Sequence, residues 1–324
     1  MPEHGGRLKE NARRHGIAES EWLDLSTGIN PHSWQVPSIP DAIWQRLPEE
    51  EDGLADAARS YYGTNSLLPV AGSQAAIRAL PSLIPECEVA VLSPSFSEHA
   101  GSWKGHRVRL FPESAILEQA DSARVVVVVN PNNPTGKVFR RKDLLCACDR
   151  LAKRGGWLIV DEAFMDAEPA ESLAGDCPRE GLVVLRSVGK FFGLAGARTG
   201  FVLAPANFLE RLSDSIGPWA IANPSRFVTT LALQDRSWQK GMREKLPGGA
   251  RRLAGVLEDS GLPVSGGTAL FQWTKTPNAA FIQEHLAKRG ILVRLFAEPV
   301  SLRFGIPGDE AGFSRLATAL EEFI

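Results

Sequence analysis

The chain is predicted to adopt an α/β fold, in which a large domain with a mostly parallel central sheet is followed by a smaller α+β C-terminal domain. Three observations carry this. Short, unbroken runs of β-branched residues, of which Val125 to Val129 is the purest, alternate with helical patterns from about residue 70 to residue 203. Strands covered on both faces need such runs, and parallel neighbours need helical crossovers between them. The pattern changes after Asn223-Pro224, where two long helical stretches lead into shorter mixed segments. Finally, 324 residues exceed what a single core usually encloses, so two domains are expected.

Taken in order, residues 1–40 read as irregular and rich in Gly, His, Asn and Pro, with His4-Gly5-Gly6 and Gly28-Ile29-Asn30-Pro31-His32. Such a segment is either an arm packed over another part of the molecule or a loose tail; as an arm over residues 1–40 it would contribute to the small domain and cover the active site. The large domain is placed at 41–225, with a helix over 73–83 and strands over 89–92, 107–111 and 125–129. A helix over 140–153 leads to strands over 157–161, 182–186 and 199–203. The small domain is placed at 226–324, with helices over 226–235 and 239–260, a strand over 270–274, a helix over 278–289, and strands over 291–295 and 300–305.

Composition narrows the function. The chain is 44% hydrophobic and 23% charged, ordinary for a soluble enzyme. Its net charge of −2 gives no electrostatic case for nucleic acid or an anionic membrane. No apolar run approaches the length needed to span a bilayer, and the polar start shows no signal region, so a cytoplasmic location is expected. Cys87, Cys146, Cys148 and Cys177 show neither disulfide nor metal-ligand spacing and read as reduced thiols; no metal is expected.

In a parallel sheet, ligands gather beyond the carboxyl ends of the strands. Three blocks fall there: Asn130-Pro131-Asn132-Asn133-Pro134-Thr135-Gly136, Asp161-Glu162-Ala163-Phe164, and Ser187-Val188-Gly189-Lys190 followed by Arg198. A fourth, Gly72-Ser73-Gln74, opens a helix, where free backbone N–H groups favour a phosphate. In this order the blocks resemble the cofactor site of pyridoxal-phosphate (PLP) enzymes of the aspartate-aminotransferase fold, fold type I.

That chemistry needs an amine, an acid, a donor to the phenolic oxygen, a flat partner for the ring and a phosphate cradle. The resemblance assigns Lys190 as the amine that binds the cofactor covalently and Asp161 as the acid at the pyridine nitrogen. It gives Asn133 the phenolic oxygen and Phe96 the ring face. Gly72, Ser73, Gln74, Ser187 and Arg198 are left to form the cradle. Within the fold, His4-Gly5-Gly6, the stretch from Leu23 to Pro31, Ser95-Phe96-Ser97-Glu98 and the stretch from Gly189 to Arg198 are most similar to the threonine-phosphate decarboxylases of cobalamin biosynthesis.

The resemblance implies that L-threonine O-3-phosphate loses CO2 to give (R)-1-amino-2-propanol O-2-phosphate. Arg303 matches the family's carboxylate-binding arginine, and Arg294 is the candidate for the substrate phosphate. His4, Gly28, Asn30 and Asn133 complete the substrate set. A homodimer is implied as well. An aminotransferase of histidinol-phosphate type and a non-catalytic PLP-binding module are the alternatives. Three departures from the family pattern stand out: Phe164 and His99 where relatives often carry tyrosine, and Leu47-Pro48-Glu49-Glu50 where they carry a tyrosine-bearing turn.

Overall fold

A computed structural model describes residues 5–322. The described residues divide into two compact units: residues 33–133 with 138–239, and residues 5–32 with 134–137 and 240–322. Thirteen strands are formed among the described residues. They are β1 (Leu23–Asp24), β2 (Leu67–Val70), β3 (Glu88–Leu92), β4 (Arg107–Phe111), β5 (Val125–Val129), β6 (Trp157–Asp161) and β7 (Leu182–Ser187). The remainder are β8 (Gly200–Leu203), β9 (Val264–Thr268), β10 (Phe271–Lys275), β11 (Ile291–Leu292), β12 (Arg294–Phe296) and β13 (Ser301–Gly305).

The large unit holds a seven-stranded sheet in the order β2-β8-β7-β6-β5-β3-β4. From β7 to β4 all pairings are parallel, whereas β8 runs antiparallel to both β7 and β2. Every residue of β5 and β8 is buried, as the unbroken apolar runs require. Val127, Ile159, Val183 and Val202 pack with Ile77 and Trp103 in one core. Sequence reading passes over β2 because it contains Pro69. The structure places β2 at the edge of the sheet, where a proline's missing N–H is tolerated.

In the small unit a four-stranded antiparallel sheet has the order β12-β13-β10-β9, and β1 pairs in parallel with β11. The N-terminal stretch is thus less irregular than its composition suggests. Leu8–His15 is a helix that ends on left-handed Gly16 (φ 69°), but only Ala12 on it is buried and its other apolar residue is Leu8, so the composition hides it.

The arm was expected to run to residue 40, yet residues 33–40 group with the large unit. There the Trp34 N–H donates to the Phe192 carbonyl (2.9 Å) and its indole N–H to Asp235 (3.0 Å). The helix Asn223–Gln234 also lies in the large unit, packed on the helix Leu54–Tyr62, so the second boundary falls after residue 239 rather than 225. Thr135 and Gly136 abut the backbone of Gly266 and Gly267 so closely that no Cβ could be added at Gly136 or Gly266, and residues 134–137 accordingly group with the small unit.

Candidate active site

Within the large unit the candidate residues converge on the carboxyl ends of adjacent strands. Asp161 is the last residue of β6 and is paired in register with Leu185 of β7; Lys190 follows β7 by three residues. Asp161 is buried, with Oδ2 2.9 Å from His99 Nε2 and Oδ1 accepting the Ala163 N–H (3.0 Å). His99 is itself buried on the short helix Ser97–Ser102, edge-on to Phe96 with the ring centroids 6.0 Å apart. The carboxylate therefore has one oxygen fixed by an imidazole and one by the backbone, which orients it and offsets the cost of burying it.

Asn132, not singled out from sequence, ties two of the predicted blocks together. Its amide donates to the Pro94 carbonyl (2.9 Å) and its Oδ1 accepts from Ser95 Oγ (2.8 Å), which anchors the turn before Phe96. The backbone N–H of Asn130 donates to the Asp161 carbonyl (2.8 Å), so Asn133 leaves the end of β5 on a fixed turn.

The predicted phosphate-cradle residues come together from three chain segments. Gly72 has φ +75°, and a Cβ there would lie 2.7 Å from Arg198 Nη2. A Cβ at Gly200 would lie 2.7 Å from the backbone N of Ser73. Ser187 and Gly200 are register partners, and Ser187 Oγ accepts the Gly189 N–H (3.2 Å). Arg198, itself left-handed at φ +48°, thus lies against the first turn of the helix Ser73–Ala79, close to Ser187. Two glycines are needed for that close approach. The predicted Gln74 behaves differently, because its side chain donates to Glu98 Oε2 (2.6 Å).

Lys190 is half-buried, next to the buried Phe191 and Phe192, with Nζ 5.3 Å from the centroid of the Phe164 ring. An amine, a buried acid, an aromatic ring and a cradle of Ser73, Ser187 and Arg198 match what PLP requires. The residues present fit the group.

In the small unit, Arg303 on β13 is 5% exposed and stands opposite Arg294 on β12. Its Nη2 donates to the Ser26 carbonyl (2.7 Å), and its guanidinium carbon lies 5.1 Å from the centroid of the Phe271 ring. Burial, then the neighbouring Arg294, lower the Arg303 pKa, and Asp24 acts the other way. Two guanidiniums facing each other across a strand pair repel, and an anion shared between them relieves the repulsion. Ser26, missed in the sequence reading, links this pair to the arm: its Oγ donates to Asp24 Oδ1 (2.6 Å) and accepts the Gly6 N–H (2.8 Å). Gly28 takes φ +61°, and Asn30 is buried with Oδ1 accepting the His32 N–H (2.9 Å). His4 lies outside the described residues.

Residues 20–320 match the family described as aminotransferase class I and II. The chain belongs to that family. It is 52% identical over 325 residues to a threonine-phosphate decarboxylase of Pseudomonas aeruginosa, covering 100% of this chain and 98% of that one. A threonine-phosphate decarboxylase from a Sinorhizobium species is 41% identical over 332 residues, covering 98% and 97%. Among solved structures, histidinol-phosphate aminotransferase from Sinorhizobium meliloti in complex with pyridoxal-5'-phosphate superposes with a TM-score of 0.85 at 21% identity, over 99% of this chain and 95% of that one. L-threonine-O-3-phosphate decarboxylase from Porphyromonas gingivalis gives a TM-score of 0.74 at 19% identity, over 92% and 98%. At these identities the superpositions establish the fold, the aminotransferase-like fold type I read from sequence.

Proposed function

We propose that this chain is a PLP-dependent carboxy-lyase that converts L-threonine O-3-phosphate to (R)-1-amino-2-propanol O-2-phosphate, a step of cobalamin assembly. Within the structure, the facing pair Arg294 and Arg303 carries this reading, because a substrate with a carboxylate and a phosphate needs two cationic contacts. Near-full-length identity of 52% and 41% to proteins named for this activity supports it.

Each residue has a defined task. Lys190 would supply the amine that holds the cofactor, and its Nζ would deliver the proton that takes the place of the departing CO2 on Cα. Asp161, fixed by His99, would sit at the cofactor's ring nitrogen and keep it protonated. Ser73, Ser187 and Arg198 would hold the cofactor phosphate, Phe96 the ring face and Asn133 the phenolic oxygen. When bound, PLP supplies an electron sink for the pair left behind as the Cα–carboxylate bond breaks. Arg303 would grip the carboxylate and so decide which bond at Cα is broken, while Arg294, with the arm residues His4, Gly28 and Asn30, would take the phosphate.

The test is to incubate PLP-loaded protein with L-threonine O-3-phosphate in the absence of any keto acid. Release of CO2 with aminopropanol phosphate at catalytic turnover is expected. No CO2, but amino transfer from histidinol phosphate once 2-oxoglutarate is added, would overturn the branch and keep the fold.

A homodimer is part of the proposal. The large unit leaves Trp44, Leu47 and Trp219 more than half exposed, and Trp219 lines a cavity of about 510 Å³. Apolar surface of this kind is suited to burial against a second copy. Sedimentation equilibrium is expected to give a dimer mass; a monomer at micromolar concentration would remove that part. Among the described residues no helix is long and apolar enough to cross a membrane, and the cytoplasmic location remains proposed.

A further inference from the structure

Behind the strand ends that carry Asp161 and Ser187 lies a second cluster of charges. Arg186 immediately precedes Ser187 on β7, so the two side chains point to opposite faces of the sheet. The Arg186 guanidinium is 2% exposed and donates through Nη1 to Glu162 and through Nη2 to Asp166, both of them buried. Glu162 also accepts from Ser172 Oγ (2.6 Å) and from the Leu173 N–H (2.7 Å). Asp166 accepts from the Tyr61 hydroxyl (3.0 Å), and the guanidinium lies over the Tyr62 ring at 4.9 Å. One cation thus ties Glu162, Asp166 and, through Nη1, Ser172 Oγ (3.3 Å) to β7.

What this clasp holds in place is the surroundings of Lys190. Phe164, between Glu162 and Asp166, presents its ring to Lys190 Nζ. Tyr61, bonded to Asp166, packs at 5.6 Å against Phe192, two residues beyond Lys190. Phe192 in turn stacks on Trp238 at 5.6 Å, with 14° between the ring planes. A buried guanidinium with two carboxylates adds little net stability over apolar packing of the same volume, because desolvation of the ions offsets their attraction. Its contribution is geometric, since each carboxylate fixes one direction of the planar fork.

We propose that Arg186 is a positioning residue of this enzyme: by bridging Glu162 and Asp166 it sets Phe164 and the end of β7 about Lys190, and so tunes how the lysine holds the cofactor. The inference rests on Lys190 being the cofactor lysine. Arg186→Lys is the informative variant, because it keeps the charge while a single ammonium cannot reproduce the two-armed fork. The PLP-loaded variant would be compared with wild type in far-UV circular dichroism, PLP dissociation constant, the pH midpoint of its visible absorbance, and kcat against KM.

The expected result is an unchanged fold, PLP held about tenfold more weakly, a displaced absorbance midpoint, and kcat down about tenfold with KM within about threefold. Asp166→Asn, which cuts one arm only, is expected to move the same readouts in the same direction by less, and it serves if Arg186→Lys does not fold. A variant with lower thermal stability but wild-type PLP affinity, absorbance midpoint and kcat would overturn the proposal and leave Arg186 a structural ion. Wild-type protein without any covalently held PLP would instead overturn the Lys190 assignment, so the two failures are distinguishable.

Discussion

Lys190→Ala is expected to abolish the visible absorbance of the PLP-loaded protein and to lower kcat by at least about a thousandfold, toward the upper end of what a positioned acid–base group contributes. The expectation follows from how the position is fixed. Phe191 and Phe192 are fully buried, so the backbone at 190 is anchored on the C-terminal side, and the Lys190 carbonyl accepts the Gly193 N–H (3.2 Å). The side chain alone is half-exposed, so truncation removes the amine without opening a core cavity. Lys190→Arg separates the two roles of the residue. It restores a cation beside Phe164 but offers no amine that can form the covalent link, and it should be as inactive as the alanine variant. Spectra and turnover measured on matched PLP-loaded samples check both; retained covalent PLP in Lys190→Ala would place the nucleophile elsewhere.

The large unit was legible in the sequence because its physics is local. β5 is a buried run of five and β6 a buried run of four after the half-buried Trp157, and a carboxylate ending such a run, as Asp161 does, is visible without knowing its neighbours. What sequence could not supply is pairing. β1 is two residues long and exists only because β11, more than 260 residues later, lies beside it. β9 reads as Val-Ser-Gly-Gly-Thr, with no strand propensity in its centre, yet Gly266 is there because Thr135 approaches too closely for a Cβ, and a Cβ at Gly267 would meet the Phe271 carbonyl and the Gln272 side chain. His99 was noticed only as the absence of a tyrosine; its bond to Asp161 joins residues 62 apart and has no local signature. Glu162 stood inside a motif already singled out and Arg186 ended the strand just before another, but adjacent residues on a strand face opposite ways, and only the packed structure shows what lies on the reverse face.

Replacing Arg303 is expected to have the other large effect, and one that separates the two ends of the substrate. Truncating one partner of a desolvated charge pair costs about 2–5 kcal/mol, so Arg303→Ala should lower kcat/KM for L-threonine O-3-phosphate by roughly 30-fold to several thousandfold. Part of any measured loss is structural, because the Ser26 carbonyl then loses the donor now 2.7 Å away. An internal control removes that ambiguity. The product, aminopropanol phosphate, keeps the phosphate but has lost the carboxylate, and its inhibition constant reports on the same pocket without the group Arg303 is proposed to bind. Arg303→Ala should leave product inhibition within about threefold while weakening the substrate; Arg294→Ala should weaken both. Arg303→Lys should recover only part of the loss, since an ammonium contacts a carboxylate as a point charge and not as a fork. The two arginines are register partners across β12 and β13, and burial beside Arg294 already disfavours the charged form of Arg303. An anion bound between them therefore does more than occupy a pocket: it relieves a repulsion that the sheet holds in place. On that account inorganic phosphate alone should raise the thermal stability of the wild-type protein, and raise it less in Arg294→Ala. Equal weakening of substrate and product in Arg303→Ala would take the carboxylate away from Arg303 and return the decarboxylase reading to sequence similarity alone.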